Sequence, residues 1–233
     1  MPTFEPVRVI AVARASGGFR RLARLDPADG ATYDRAVSRL VPAIEGSLWP
    51  CVWANRVRGR GAREWTSLEP WGPARRGFGR AMRRLAARGD VTMIDVRDCY
   101  GSIEPRVVEA SLRGICREDV ADVVRLLRRF ENGGVRGLPI GPEPSAILAN
   151  AILSGLDRAI GRSGARHVRW VDDVAMVGRD EAEAAHALEA AREALAELGL
   201  ALNEQKTRVL PAEALRRSTS ALVLSRPRAR ALP

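Results

Sequence analysis

Two aspartates, Asp172 and Asp173, lie side by side in the apolar run His167-Val168-Arg169-Trp170-Val171-Asp172-Asp173-Val174-Ala175-Met176-Val177-Gly178. Apolar residues on both sides read as two buried strands joined by a tight turn. Folding gains nothing from adjacent carboxylates there, because repulsion and desolvation cost stability. A divalent cation held against them offsets that cost. The chemistry such a pair serves is two-metal phosphoryl transfer, which calls for a further carboxylate upstream. Asp95 supplies it, at the end of the β-rich run Val91-Thr92-Met93-Ile94-Asp95, with Tyr100 five residues on. A lone Asp-Asp is more often a turn or a helix cap, so the ordered set has to decide.

Four blocks stand in order. They are Asp95-Val96-Arg97-Asp98-Cys99-Tyr100, then Gly137-Leu138-Pro139-Ile140-Gly141-Pro142-Glu143-Pro144-Ser145 running on to Asn150, then Trp170-Val171-Asp172-Asp173, and last Leu198-Gly199 through Asn203 to Lys206-Thr207. In type, order and spacing they resemble the palm of the reverse transcriptases, over roughly residues 33 to 210. The resemblance implies that Asp95 and Asp172 bridge the metal ions, with Asp173 as the supporting carboxylate. It implies Mg²⁺, with Mn²⁺ as an alternative, together with dNTPs, an RNA template and a DNA product. Tyr100 matches the aromatic gate under the incoming sugar, beside Val96 and Arg97. Gly141 and Ser145 match the loop and helix start under the nascent base pair. Lys206 matches the lysine that protonates the departing pyrophosphate.

Lys206 is also the only lysine, against 37 arginines. Arginine is a poor proton donor, whereas lysine shifts its pKa readily and can act as an acid. Two positions depart from the family. Ile140 stands where common members have glutamine against the incoming nucleotide. An aliphatic residue there resembles mutagenic diversity-generating enzymes and several bacterial defence-associated groups. Trp170 replaces the usual tyrosine or phenylalanine before the aspartates and keeps a flat aromatic.

The elements that position these residues follow from pattern. With 233 residues the chain can bury a proper core. Its formal net charge of +10 is uneven: residues 1–90 carry 17 basic and 8 acidic groups, 91–215 carry 16 and 20, and 216–233 carry 5 and none. Basic flanks around a slightly acidic centre suit a polyanion gripped from two sides. The expected fold class is α+β, a right hand of fingers and palm without a full thumb. Residues 1–90 read as fingers, 91–212 as palm and 213–233 as a basic tail or vestigial thumb.

In the fingers, Tyr33, Val37, Leu40, Val41, Ile44 and Leu48 recur at helical spacing, with Pro42 restarting the helix. A β-hairpin over 52–65 is expected to turn Arg56, Arg58 and Arg63 toward the triphosphate. Residues 75–88 read as a basic amphipathic helix with Phe78, Met82 and Leu85 on one face. Core packing is the favoured role for Trp65, Trp71 and Phe78, ahead of base stacking. The palm reads as strand 91–96, helices from Glu104, over 119–131 and from Pro144 to Ile160, and the hairpin 167–178. Asp180 then caps a helix to Leu198, with Glu183 completing a capping box.

Cys51, Cys99 and Cys116 lack metal spacing, and neither His167 nor His186 reads as a ligand. No secretory signal or membrane span appears, which suits a cytoplasmic protein. Only about 25 residues follow the lysine block, too few for a thumb, so a noncoding RNA, a partner protein or a second copy is expected to hold the substrate. The functional expectation is an RNA-directed DNA polymerase of bacterial anti-phage defence. The alternatives are a low-fidelity enzyme of a diversity-generating element and a catalytically idle RNA-binding scaffold.

Overall fold

The computed structural model describes residues 7–13, 18–57 and 68–217. The chain opens on an antiparallel hairpin of β1 (Arg8–Ala13) and β2 (Phe19–Arg24), paired from Arg8↔Arg24 to Ala13↔Phe19. Helices α1 (Pro27–Ser38) and α2 (Val41–Ser47) follow. Asp26 caps α1 by accepting from Ala28 N at 2.9 Å, and Pro42 sits in the first turn of α2, where its missing N–H breaks no helical bond. Tyr33, Val37, Leu40, Val41, Ile44 and Leu48 are all buried, as their spacing predicts.

Most of the hairpin expected over 52–65 lies outside the described residues. Val52 bridges Arg169 and Val57 pairs antiparallel with Leu68, and residues 58–67 between them, Arg58, Arg63 and Trp65 among them, are not described. Residues 48–55 lie against the rest of the fold. Trp49 packs so closely on Gly161 that a Cβ there would come 2.3 Å from its ring.

α3 (Trp71–Ala86) starts a turn earlier than the expected 75–88 and buries Phe78, Met82 and Leu85. Then come β3 (Val91–Asp95), α4 (Cys99–Ser102), α5 (Pro105–Arg113), α6 (Ala121–Asn132) and α7 (Glu143–Arg162). β4 (Arg166–Trp170), β5 (Asp173–Val177), α8 (Glu181–Glu197), β6 (Arg208–Leu210) and α9 (Ala212–Arg217) complete the described chain. Asp180 caps α8 through Glu183 N at 2.8 Å, but the Glu183 carboxylate reaches back to Arg179 N rather than to the cap's own N–H.

Four strands form an antiparallel sheet in the order β4-β5-β3-β6. Side chains alternate across it. Val91, Met93, Ala175 and Val177 share one core with α3, while Ile94, Val174 and Met176 share the other with α7. Both faces are covered, so β3 is buried along its whole length and reads as a continuous apolar run. Tyr33, Leu40 and Ile44 pack into the same core as Leu148 and Leu153 of α7. The result is the expected α+β architecture, an antiparallel sheet flanked by helices.

Candidate active site

Asp95 ends β3 and Asp173 begins β5, directly opposite one another in register. Asp172 occupies the turn between β4 and β5, and its carbonyl accepts from Val96 N at 3.2 Å. That turn is strained: Val171 has φ 57°, a left-handed conformation rare for a β-branched residue. The two adjacent aspartates and Asp95 therefore face one corner of the sheet.

Their electrostatics show the cost. Burial, then the Asp172 and Asp95 charges, raise the Asp173 carboxyl from 3.8 to about 7, against the pull of Lys206 and Arg75. Burial and Asp95 also raise Asp172, opposed in part by Lys206 and Arg20. Lys206 Nζ donates to Asp95 Oδ1 at 2.9 Å, and Asn203 Nδ2 to Asp95 Oδ2 at 3.0 Å. An ammonium thus sits where the carboxylates call for positive charge, and an all-oxygen donor set suits Mg²⁺ or Mn²⁺. The residues fit such ions.

The sign of the pH effect follows. A carboxyl near 3.8 unfolded and about 7 folded stabilises the fold while protonated, and that stability is lost as pH rises toward 7. In chelator, the melting temperature is expected to fall between pH 5 and pH 8, and Asp173→Asn should flatten the fall. Equal slopes for the two proteins, followed by calorimetry, would show that Asp173 is not the titrating group.

Tyr100 lies beside Asp172, and burial raises its phenol well above the usual range. Gly137 is required next to it: at φ 67°, a Cβ there would come 2.3 Å from Tyr100 O. Ile140 is half-buried, and its carbonyl accepts from Ala23 N at 2.8 Å, so the β1–β2 hairpin leans on the Ile140–Gly141 loop. Gly141 is exposed there with φ 128°. Ser145 is fully buried with its hydroxyl 3.2 Å from Tyr33 Oη, so it supports the loop from beneath.

Some expected contacts are otherwise engaged. Val96 is a core residue whose N–H already serves Asp172, and Arg97 N donates to Ala201 O at 2.8 Å, leaving the exposed Arg97 side chain as the group that can reach outward. Arg56 is held by Glu45 at 2.8 Å, away from the role given it by sequence. Two cations among the described residues of the 1–90 segment do act on the cluster: Arg20 of β2 opposes the rise of Asp172 and Tyr100, and Arg75 of α3 opposes that of Asp173. Sequence reading assigned Arg20 and Asn203 no role. Asn203 stood inside a quoted block, whereas Arg20 carried no local signal. Phe78 is a core residue packed on Trp170 at 5.6 Å, while Trp71 is 51% exposed.

Cys51, Asp157 and His167 also converge, with one ligand atom from each lying within 4.8 Å of the others, although their spacing gives no hint of it. Among the described residues this is the cluster of potential metal ligands that meets so closely; the three aspartates stand further apart. The cluster is already held by a cation. Burial alone would raise Asp157, but Arg169 and His167 keep it near 2, with Arg169 Nη2 at 2.7 Å. Burial and the Asp157 charge push the Cys51 thiol up to about 12, far from the thiolate a metal requires. No described helix is long and apolar enough to cross a membrane.

The chain resembles solved telomerase structures in fold. With that of Candida albicans, in complex with a fragment of telomeric RNA, the TM-score is 0.58 at 13% identity, over 88% of this chain and 43% of that one. With the apo telomerase of Candida tropicalis, truncated from its C-terminal domain, it is 0.56 at 12% identity, over 88% and 49%. This chain therefore spans less than half of either structure. No curated protein sequence matches it. A family profile described as reverse transcriptase (RNA-dependent DNA polymerase) matches residues 79–216, more than half of the chain and every strand of the four-stranded sheet. The chain belongs to the reverse transcriptase family.

Proposed function

We propose that the chain is an RNA-directed DNA polymerase that transfers nucleotides from dNTPs, with residues 1–90 as fingers and 91–212 as palm. The observation that carries this reading is the convergence of Asp95, Asp172 and Asp173 at one corner of the sheet, with Lys206 on Asp95. Bound Mg²⁺ would supply charge stabilisation for the attacking and leaving oxygens. Asp95, Asp172 and Asp173 would hold it. Asn203 fixes the orientation of Asp95 through both its side chain and its backbone N–H, which donates to Asp95 O at 2.8 Å. Tyr100 floors the sugar position, and Arg20 faces the same corner with a charge suited to a triphosphate.

Lys206, more than half exposed, can leave Asp95 once a cation neutralises it and then donate a proton to the leaving pyrophosphate. Lys206→Arg keeps the ion pair but removes the acid. Single-turnover incorporation is expected to slow by roughly 10²-fold. A rate within a few-fold of wild type in rapid quench would remove Lys206 from that role.

Purified protein given dNTPs, Mg²⁺ and a primed RNA template should extend the primer. Failure with every template and with co-purifying RNA would favour the idle RNA-binding scaffold. The finer reading, a bacterial defence-associated enzyme acting with a noncoding RNA, protein partner or second copy, is supported by Ile140. The diversity-generating alternative draws on the same residue. Ile140→Gln is expected to change error rate or base preference more than stability, and sequenced products identical to those of wild type would remove that special role.

A further inference from the structure

Arg169 of β4 is fully buried three residues before Asp172, and neither the metal ligands nor the nucleotide contacts account for it. A buried ion pair is seldom a net gain over well-packed apolar residues, so its bonds need a reason. Arg169 Nε and Nη2 grip Asp157 of α7 at 2.9 and 2.7 Å. Its remaining nitrogen, Nη1, donates to Asn150 Oδ1 at 2.9 Å and to the Val171 carbonyl at 3.0 Å. Val171 is the residue at φ 57°. Asn150 in turn donates to Ala54 O at 2.9 Å and to Asn55 O at 3.3 Å, and the Arg169 backbone bonds Cys51 O and Trp53 N. One guanidinium therefore ties α7 and residues 51–55 to the strained residue that immediately precedes the aspartate pair.

We propose that Arg169, oriented by Asp157 and Asn150, is a positioning residue that clamps the Val171 carbonyl and so holds the strained turn presenting Asp172 and Asp173. A β-branched residue leaves the left-handed region readily unless its surroundings over-determine it. The planar guanidinium fork is suited to this clamp, because two nitrogens engage Asp157 while a third reaches the turn, a division lysine cannot make. The clamp touches no substrate. The inference rests on the reading that these aspartates bind the catalytic ions.

The test uses Mn²⁺ alone as probe, with binding followed by electron paramagnetic resonance, beside primer extension. Arg169→Lys keeps the charge on Asp157 but gives up the turn. Asn150→Ala keeps the ion pair, frees Nη1 to drift, and serves if the lysine variant does not fold. Either is expected to weaken Mn²⁺ binding and lower kcat at least tenfold, with KM for dNTP unchanged. Glycine takes a positive φ without strain. Val171→Gly in the same background is therefore expected to recover most of the loss, which a general packing defect would not allow. Wild-type Mn²⁺ affinity in a folded Asn150→Ala protein, or no recovery with glycine, overturns the clamp. Wild-type protein that binds Mn²⁺ yet extends no primer, while Asn150→Ala weakens the binding, supports the clamp and counts against the polymerase reading alone.

Discussion

Asp172→Ala/Asp173→Ala is expected to bring dNTP incorporation down by at least roughly 10³-fold, while the protein, in chelator at pH 8, melts no lower than wild type. The first half follows from losing two of three carboxylates that would hold the ions. Charge stabilisation by a bound metal is worth several kcal/mol at the transition state, and each 1.36 kcal/mol is about tenfold in rate. The second half follows from the ground state. Asp173 is raised to about 7 by burial and by its neighbours, so its ionised form works against the fold at pH 8. Removing it relieves that repulsion. Function and stability should therefore move in opposite directions, the mark of a site held against the preference of the fold. Primer extension and calorimetry on the same preparations check both. Retained incorporation would sink the polymerase assignment to these residues, and a large drop in melting temperature would show that the aspartates are structural.

Asp157→Ala is expected to cost the fold about 3–5 kcal/mol, the largest stability loss expected of any single substitution named above. Asp157 and Arg169 are both fully buried, and the substitution leaves a guanidinium without its counter-charge. Replacing both partners by apolar residues, Asp157→Leu/Arg169→Met, should cost the fold less than Asp157→Ala alone. Activity should not return with stability in the double variant, because it lacks the Arg169 nitrogen that donates to the Val171 carbonyl. Urea unfolding in the presence and absence of chelator completes the comparison. In an Asp172→Ala/Asp173→Ala background, where the aspartate corner no longer holds ions, stability unchanged by chelator is expected, because Arg169 rather than an ion holds the Asp157, Cys51 and His167 cluster. A chelator-induced loss confined to proteins with all three residues would assign an ion to that cluster instead.

How far the sequence could be read depends on how far apart the partners stand. Strand β3 was legible because five consecutive residues are buried between two layers, leaving an apolar run with a carboxylate at its end. Helix α7 was legible from Pro144 in its first turn and apolar residues at helical spacing. The hairpin β1–β2 was missed because nearly all of its residues are exposed, so no alternation marks it. Arg56 read as a nucleotide contact, whereas Glu45 engages it, a pairing that no local pattern announces.

The sequence by itself determined the chemistry on offer: three carboxylates and a single lysine, in an order that resembles one family of polymerases. Local residue type and spacing carry that information, because each block must be right in itself to make its strand end, turn or helix start. Only the tertiary structure decided which groups act on that corner. Arg20 reaches Asp172 from about 150 residues away, Asn203 reaches Asp95 from 108, and Arg169 holds the turn through a helix and a distant loop. Such contacts leave no periodic trace in sequence, since each is set by how separate elements pack and by where a buried charge can find its counter-charge.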